Sequence, residues 1–363
     1  MQYFILPYKN AVEFSHNVFA GYGFSEMDCA TITEVLLCAD LFGIESHGIQ
    51  RMMRYHNEIQ WGMVDVSGKP QVMHETPLSA VWDANKFMGQ IVAKKAMQTA
   101  IDKAKASGIG MLAVRNSNHY GIAGYYADMA AQNDLVGICL TNTEAIGVPT
   151  FGKRAMFGTN PISFAFPADP VTFLYDAATT VVPRGKLEVY CKGGKPLPDG
   201  WAIDARGASS SNSEEILKNI INKAGGGIAP LGGVGELYGG HKGYGLGAIV
   251  DICCGILSQG MTSNHVSVRR EQADIAHFFM VMDYGLFGDK IAIRKNLSMF
   301  LQELRDSDKA DGKDRIYTHG EKEFESRKKK LSEGIPVNEK TIVELKEISR
   351  FHGLKLTDFF DIA

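Results

Sequence analysis

Between residues 79 and 142 the sequence alternates between two kinds of segment, and this alternation constrains the fold more than any other feature. SAVWDA (79–84), MLAVRN (111–116) and VGICLTN (136–142) are short and largely apolar, as strands are. The long stretch from Gln90 to Ala106 has helical spacing and closes at Gly108, and a second helix is expected from Gly121 to Ala131. Strands separated by helices of this length are joined as βαβ units, which predicts a mixed or parallel sheet with helices on its faces.

The flanks read differently. Ser25 and Asp28 form a helix-start pattern ahead of Ile32, Val35, Leu36 and Ala39, which recur at helical spacing up to Leu41. A second helix is expected from about Gly48 to Ile59, stopping at Gly62. Beyond the alternating segment, PISFAFP (161–167) and VTFLYD (171–176) are candidate strands, and the Gly-, Pro-, Ser- and Asn-rich stretch 193–240 is expected to be mostly loop. A helix over Tyr244–Leu257, the strand HFFMVMDY (277–284) and a helix over Ile291–Leu304 complete the layer. EKEFESRKKKLSEG and NEKTIVELKEISRFHG are charged amphipathic stretches whose charge runs read as solvated faces. Helix-rich ends around an α/β middle predict a discontinuous helical domain (1–75 with 296–363) beside a mixed α/β domain (76–295).

Composition narrows the function. A chain of 363 residues fits about two domains at roughly 150 residues each. Its 38 Lys and Arg against 41 Asp and Glu leave a net charge of −3, unlike a dedicated nucleic-acid binder, which needs a basic surplus. The best apolar run, Leu246–Leu257, is interrupted by Asp251 and falls short of the roughly 18 residues of a membrane span. The N-terminal MQYFILPYKN lacks the basic region of a signal peptide. Cys29, Cys38, Cys139, Cys191, Cys253 and Cys254 show no CxxC spacing, which fits buried thiols in a reducing cytoplasm.

The common nucleotide and metal motifs are missing. Gly233, Gly235 and Gly239 are spaced GxGxxxG, and Gly243, Gly245 and Gly247 are spaced GxGxG; neither set follows a strand as a GxGxxG fingerprint requires. No P-loop, HExxH, zinc-ligand spacing or GxSxG elbow is present, so no metal is expected. GGHKGYG (239–245) places His241 and Lys242 where a glycine-rich loop enters a helix, so it is either a pyrophosphate site at a helix N-terminus or a tight turn feeding a packed helix. In ESHGIQRMMRY, a helix starting near Ser46 puts His47, Arg51 and Tyr55 on one face. A proton donor, a bidentate cation and a phenol in one row suit a substrate carboxylate beside a carbonyl. RNSNHYG (115–121) puts His119 at a strand's C-terminal end, with Asn142 and Asn160 in companion turns able to supply amide contacts. Asp251 is either a buried partner for a cation or an exposed turn of its helix.

Taken together, SHGIQRMMRY, GIGMLAVRNSNHYGIAGYYADMA, LTNTEAIGVPTFGKRAMFGTNPISFAFP and GGHKGYGL resemble the malate/L-lactate dehydrogenase family. That family is distinct from the Rossmann-type enzymes and includes L-sulfolactate, ureidoglycolate and 2,3-diketogulonate dehydrogenases. The resemblance runs from about Cys29 to Gly353, including the late GEKEF…R…GIPV pattern. It implies a three-layer, mixed-sheet, non-Rossmann NAD(P)-binding domain, a homodimer, and interconversion of a 2-hydroxy acid with a 2-oxo acid. Malate and oxaloacetate are the first expectation; sulfolactate, lactate, ureidoglycolate, diketogulonate or a cyclic imino acid are alternatives. A non-catalytic nucleotide-binding homologue or a cofactor-independent lyase or isomerase are the rival classes. His47 and His119 match the family's catalytic histidines, with the proton donor between them left open. Ser46, Arg51, Tyr55 and Asn142 are expected on the substrate side. Gly158, Thr159, Asn160, Asp176, Ala178, Thr179, Arg184, His241, Lys242, Gly320 and Glu321 are expected on the cofactor side, with NAD the first choice and NADP the alternative. Family members often read DMAT where this chain has Asp176-Ala177-Ala178-Thr179, and its 206–240 region departs from the pattern.

Overall fold

In the computed structural model, which describes residues 3–267 and 272–361, the alternating segment forms the middle of a seven-stranded sheet. The chain opens with β1 (Tyr3–Leu6), α1 (Tyr8–Gly21), α2 (Glu26–Leu41) and α3 (Met52–Gln60). The sheet then begins with β2 (Gln71–Glu75), β3 (Ser79–Asp83), α4 (Gly89–Ser107), β4 (Ile109–Ser117), α5 (Ala123–Gln132) and β5 (Val136–Thr141). It continues through β6 (Ile162–Phe166) and β7 (Phe173–Ala177). A smaller lobe follows, built from α6 (Arg184–Lys192), β8 (Ala202–Ile203), α7 (Ser213–Asn222) and β9 (Gly227–Ile228). The chain ends with α8 (Gly240–Asp251), β10 (Ile275–Met282), α9 (Lys290–Asp306), α10 (Glu321–Glu333), β11 (Ile335–Asn338) and α11 (Glu339–Phe351).

Among the described residues the strand order of this sheet is β2-β3-β4-β10-β5-β6-β7, and within it only β3 and β4 pair in parallel. The late strand β10 inserts antiparallel between β4 and β5, so only the first expected βαβ unit has adjacent strands. Along α4 the apolar face Ile91, Val92, Met97 and Ile101 is buried on the sheet, and Gly108 closes the helix in the left-handed conformation at φ 84°. Ser25 caps α2, its Oγ accepting from the Asp28 amide at 3.2 Å.

The two chain ends meet directly. β1 and β11 pair antiparallel from Tyr3 opposite Asn338 to Leu6 opposite Ile335, a pairing that two short apolar runs over 300 residues apart do not announce in sequence. Leu6, Phe14, Ile32, Leu36, Ile342 and Ile348 are buried in a core that continues into the α4 and α5 layer. Among the described residues no helix is long and apolar enough to cross a membrane.

One expectation holds and another is corrected. The stretch 193–240 is mostly loop, but β8, α7 and β9 interrupt it, and Leu197, Ala202, Ile216, Ile220 and Ile228 join Leu187 in a core that belongs to the small lobe. Helix α7 starts where Asn212 caps the Glu215 amide and is only ten residues long. The expected helix from Gly48, by contrast, is broken. Residues 45–47 and 49–51 form two separate 3₁₀ turns, and α3 begins only at Met52.

Candidate active site

The break in that helix comes from Asp40. This buried carboxylate, in the last turn of α2, accepts a 2.7 Å hydrogen bond from the Ile49 amide. Gly48 lies directly on it: a Cβ there would fall 2.0 Å from Asp40 Oδ1, so a side chain at 48 has no room. Gly48, at φ −88° and ψ −148°, interrupts the helical ladder. His47, Arg51 and Tyr55 therefore do not lie on one continuous helix face. The fold nevertheless joins these segments, because Arg51 Nε donates to the Ser46 carbonyl and Ser46 Oγ lies 2.9 Å from His47 Nδ1.

His119 arrives from the other direction, in the loop after β4. The Asn118 amide fixes that loop by donating to the carbonyls of Lys86 and Phe87, both at 3.0 Å. Gly89, the first residue of α4, presses on the same backbone; a Cβ there would stand 2.5 Å from the Asn118 carbonyl oxygen. The His119 ring stacks on His47 with centroids 5.4 Å apart and planes at 28°. Tyr55 OH lies 2.7 Å from His119 Nδ1. Ser46, His47, Arg51, Tyr55 and His119 thus form one cluster.

Its electrostatics favour neutral imidazoles. Burial, then the Arg51 and Arg54 charges, pull His47 down to about 4. Burial also takes His119 well below the usual histidine range, reinforced by Arg54, His47, Arg51 and His277. Burial pushes the Tyr55 phenol up, so it stays protonated. Arg54 is paired with Glu58 at 2.6 Å, while no carboxylate pairs with Arg51 among the described residues. The cluster therefore holds a guanidinium with capacity for an anion beside two stacked bases.

The sequence reading missed His277. It is fully buried on β10, with Nδ1 2.8 Å from Thr141 Oγ1 and Nε2 2.9 Å from Ser117 Oγ, and it lies flat on Tyr120 at 4.3 Å. Both ring nitrogens are occupied and burial lowers it to about 3, so it braces β4 against β5 as a neutral ring. A histidine in an apolar strand gives no signal of that role.

A second cluster gathers several residues expected on the cofactor side. Asn160, buried at φ +38°, donates to the Gly247 carbonyl and to Asp251 Oδ2, each at 2.9 Å. Among the described residues Asp251 pairs with no cation, and it is not an exposed turn: its carboxylate collects Asn142, Asn160 and the Ser263 amide and hydroxyl. Asn142 belongs to the same network. It is fully buried, donates to Asp251 and the Met261 carbonyl, and accepts from the Ala276 amide. At Gly158 a Cβ would fall 2.1 Å from Thr143 Oγ1, which accepts from the Thr159 amide at 3.0 Å. Thr179 follows half-buried Ala178 and donates through both its amide and its hydroxyl to the Thr159 carbonyl.

The remaining residues lie around these clusters. Asp176 accepts from the Gly124 amide at 2.7 Å in the first turn of α5, and burial raises it to about 7. Arg184 pairs with Glu188 at 3.0 Å on α6, near enough for both to act on the Arg51 charge. His241 and Lys242 are exposed in the first turn of α8, with no side-chain hydrogen bond or ion pair among the described residues. The Glu321 carboxylate accepts from Arg315 at 2.5 Å and from the Thr318 amide and hydroxyl at the start of α10. Gly320 packs on the Thr172 carbonyl beside it. Among the described residues no group of three or more His, Cys, Asp or Glu is arranged to hold a metal ion.

A mixed sheet carrying stacked histidines, an arginine with no carboxylate partner among the described residues and a glycine-lined second cluster is the arrangement expected of a 2-hydroxy-acid dehydrogenase. Residues 6–346 match the family model described as malate/L-lactate dehydrogenase, and the chain belongs to that family. It is 43% identical over 354 residues to a malate dehydrogenase of Pyrococcus abyssi, covering 97% of this chain and 96% of the relative. A malate/(S)-sulfolactate dehydrogenase of Methanothermus fervidus is 34% identical over 92% of this chain and 94% of its own. Among solved structures, malate dehydrogenase from Entamoeba histolytica superposes with a TM-score of 0.93 at 36% identity, over 98% of this chain and 99% of the other.

Proposed function

We propose that the protein interconverts (S)-malate and oxaloacetate with NAD as coenzyme. The observation that carries this reading is the stacked His47–His119 pair beside Arg51, a guanidinium with no carboxylate partner among the described residues. The substrate carboxylate docks on Arg51, and its anionic charge offsets the Arg51 and Arg54 charges that add to burial in keeping the histidines neutral. One histidine then moves the hydroxyl proton, with Ser46 and Tyr55 holding the two rings in place at Nδ1. When bound, the nicotinamide supplies hydride transfer at the carbonyl carbon.

The second cluster suits such a group. The Gly158 approach to Thr143 keeps the 158–160 backbone tight, and the first turn of α8 presents His241 and Lys242 beside the left-handed Gly239. These residues, with Thr159, Asn160, Ala178, Thr179 and Arg184, would hold the dinucleotide, with its phosphates at the α8 N-terminus. In the same proposal, the two chain ends (1–75 and 296–363) form a helical unit beside the cofactor domain, and the protein works as a cytoplasmic homodimer. Six free cysteines are consistent with a reducing compartment.

The test is oxidation of NADH and NADPH, followed at about 340 nm, with oxaloacetate at the head of a panel of 2-oxo acids. Fast turnover with oxaloacetate and NADH is expected. Turnover confined to another acid, or to NADPH, would replace the substrate or coenzyme. Light scattering at twice the 39.7 kDa chain mass is the expected result for the dimer.

A further inference from the structure

Gln90, in the first turn of α4, has no accessible surface, yet among the described residues neither end of its amide makes an aligned hydrogen bond. Buried amides are rarely left so, and this one is not in a remote part of the core. The same helical turn presses on the Asn118–His119 backbone through Gly89. The Gln90 amide also lies beside the Tyr55 hydroxyl, close enough to favour the phenol's ionised form without an aligned bond. Tyr55 in turn is 2.7 Å from His119 Nδ1. The three groups form a row: imidazole, phenol, amide.

We propose that Gln90 is a positioning residue that completes a His119–Tyr55–Gln90 relay and thereby sets the protonation of His119. This rests on the dehydrogenase reading above. With His119 neutral, Nδ1–H donates to the Tyr55 oxygen and the Tyr55 O–H donates to the Gln90 carbonyl oxygen, which leaves the Nε2 lone pair as the base. The Gly121 amide, 3.5 Å from Nδ1, is too far to hold that nitrogen as an acceptor. In the direction of alcohol oxidation, hydride leaves the substrate carbon for the coenzyme and the hydroxyl proton passes to Nε2. The imidazolium keeps its Nδ1–H on the Tyr55 oxygen, and the Gln90 acceptor holds the phenol in the orientation that receives it. An amide held by no other group has its carbonyl free for this.

The surroundings leave few other supports for that cation. The charged and titratable groups acting on His119 are Arg54, Arg51, His47 and His277, and each opposes a further positive charge. Around Tyr55 stand Arg54, Arg51 and Glu58, the last already paired with Arg54.

Gln90→Leu and Gln90→Glu separate this role from simple packing, read by ¹⁵N imidazole shifts of His119 against pH and by the pH profile of kcat/KM for oxidation. Gln90→Leu is expected to weaken the imidazolium about tenfold, moving its titration and the acidic limb of the profile about one unit lower. Gln90→Glu, which supplies a stronger acceptor, is expected to move both higher. In a Tyr55→Phe background either change should leave His119 unmoved. Shifts of the same sign in both variants, no shift in either, or an effect that survives Tyr55→Phe would overturn the relay. The imidazole shifts need no turnover. A protein inactive on every 2-oxo acid but showing the opposed shifts would sink the dehydrogenase reading and leave the relay standing.

Discussion

The histidine pocket and the glycine-rich face of α8 are built in opposite ways. Around His47 and His119, position comes from side chains: the Asp40 carboxylate under Gly48, the Asn118 amide on two carbonyls, and the Tyr55 phenol on an imidazole. On α8 it comes from the absence of side chains. A Cβ on Gly243 would fall 2.2 Å from the Leu231 carbonyl oxygen, and the two polar side chains nearby, His241 and Lys242, stand in solvent. Directional proton transfer needs groups fixed in a dry setting, whereas an anion can be met by backbone N–H groups and a mobile cation. The difference teaches that substitutions should separate turnover from coenzyme affinity according to region.

The sharpest way to break this contrast is to remove a histidine. His119→Ala and His47→Ala are each expected to lower kcat by about 10²–10⁴-fold, the usual worth of a positioned general acid or base. NADH affinity, measured by fluorescence titration, should stay within about twofold by additivity of distant sites. An equal fall in coenzyme affinity would mean that the two regions act as one.

The same contrast explains what the sequence made legible. SHGIQRMMRY and NHYG carry their chemistry in side chains, so His47, Arg51, Tyr55 and His119 stand out before any coordinates. The helix that was to align three of them does not exist, because the decisive Asp40–Gly48 contact joins residues eight positions apart through tertiary packing. Asn142 and Glu321 stand out by their types and places. What only the fold adds is the company they keep, Asp251 and Met261 for the first, Arg315 and Thr318 for the second. The sheet was half legible: local alternation announces β3, α4 and β4, but nothing near β4 and β5 tells that β10 will slide between them. Gln90 gave no signal, since an orphaned amide is a property of its surroundings.

Next in size is the pH dependence of the pocket's scaffold. Burial raises the Asp40 carboxyl from 3.8 to about 7, so the folded state holds a proton that the unfolded chain releases earlier. The stabilisation from this group is therefore fully present below pH 3.8 and is lost as the pH rises through about 7. Asp40→Asn keeps an oxygen to accept from Ile49 and removes the titration. Relative to this variant, wild-type stability in urea should fall between pH 4 and 7 by no more than about 4 kcal/mol and then level off. A constant difference across that window would show that the carboxylate is not held dry.

Two glycines of α8 probe the other region at smaller cost. Gly243→Ala meets backbone atoms of Leu231 at 2.2 and 2.5 Å and should destabilise by about 1–3 kcal/mol, with a raised KM for coenzyme. At Gly245 nothing lies within 4 Å, so alanine there should stabilise the helix by about 0.5–1 kcal/mol. Thermal melts of the two variants moving in the same direction would contradict the close approach at Gly243.

The smallest effect is expected at Lys242. Its ammonium is exposed at the start of a helix, where a charge interaction is worth only about 0.3–1 kcal/mol and is screened by salt. Lys242→Ala should therefore weaken NADH binding about two- to fivefold at low ionic strength, and by less at 0.5 M salt, where the Debye length is only a few ångströms. kcat should hardly change, because no step of the proton transfer passes through α8. The contrast with His119→Ala would then be complete, one variant losing turnover and the other a salt-sensitive fraction of affinity. A Lys242→Ala variant whose loss is large and indifferent to salt would instead mean that this lysine is desolvated in the complex, and that the glycine-rich face closes on the coenzyme as tightly as the histidine pocket closes on its substrate.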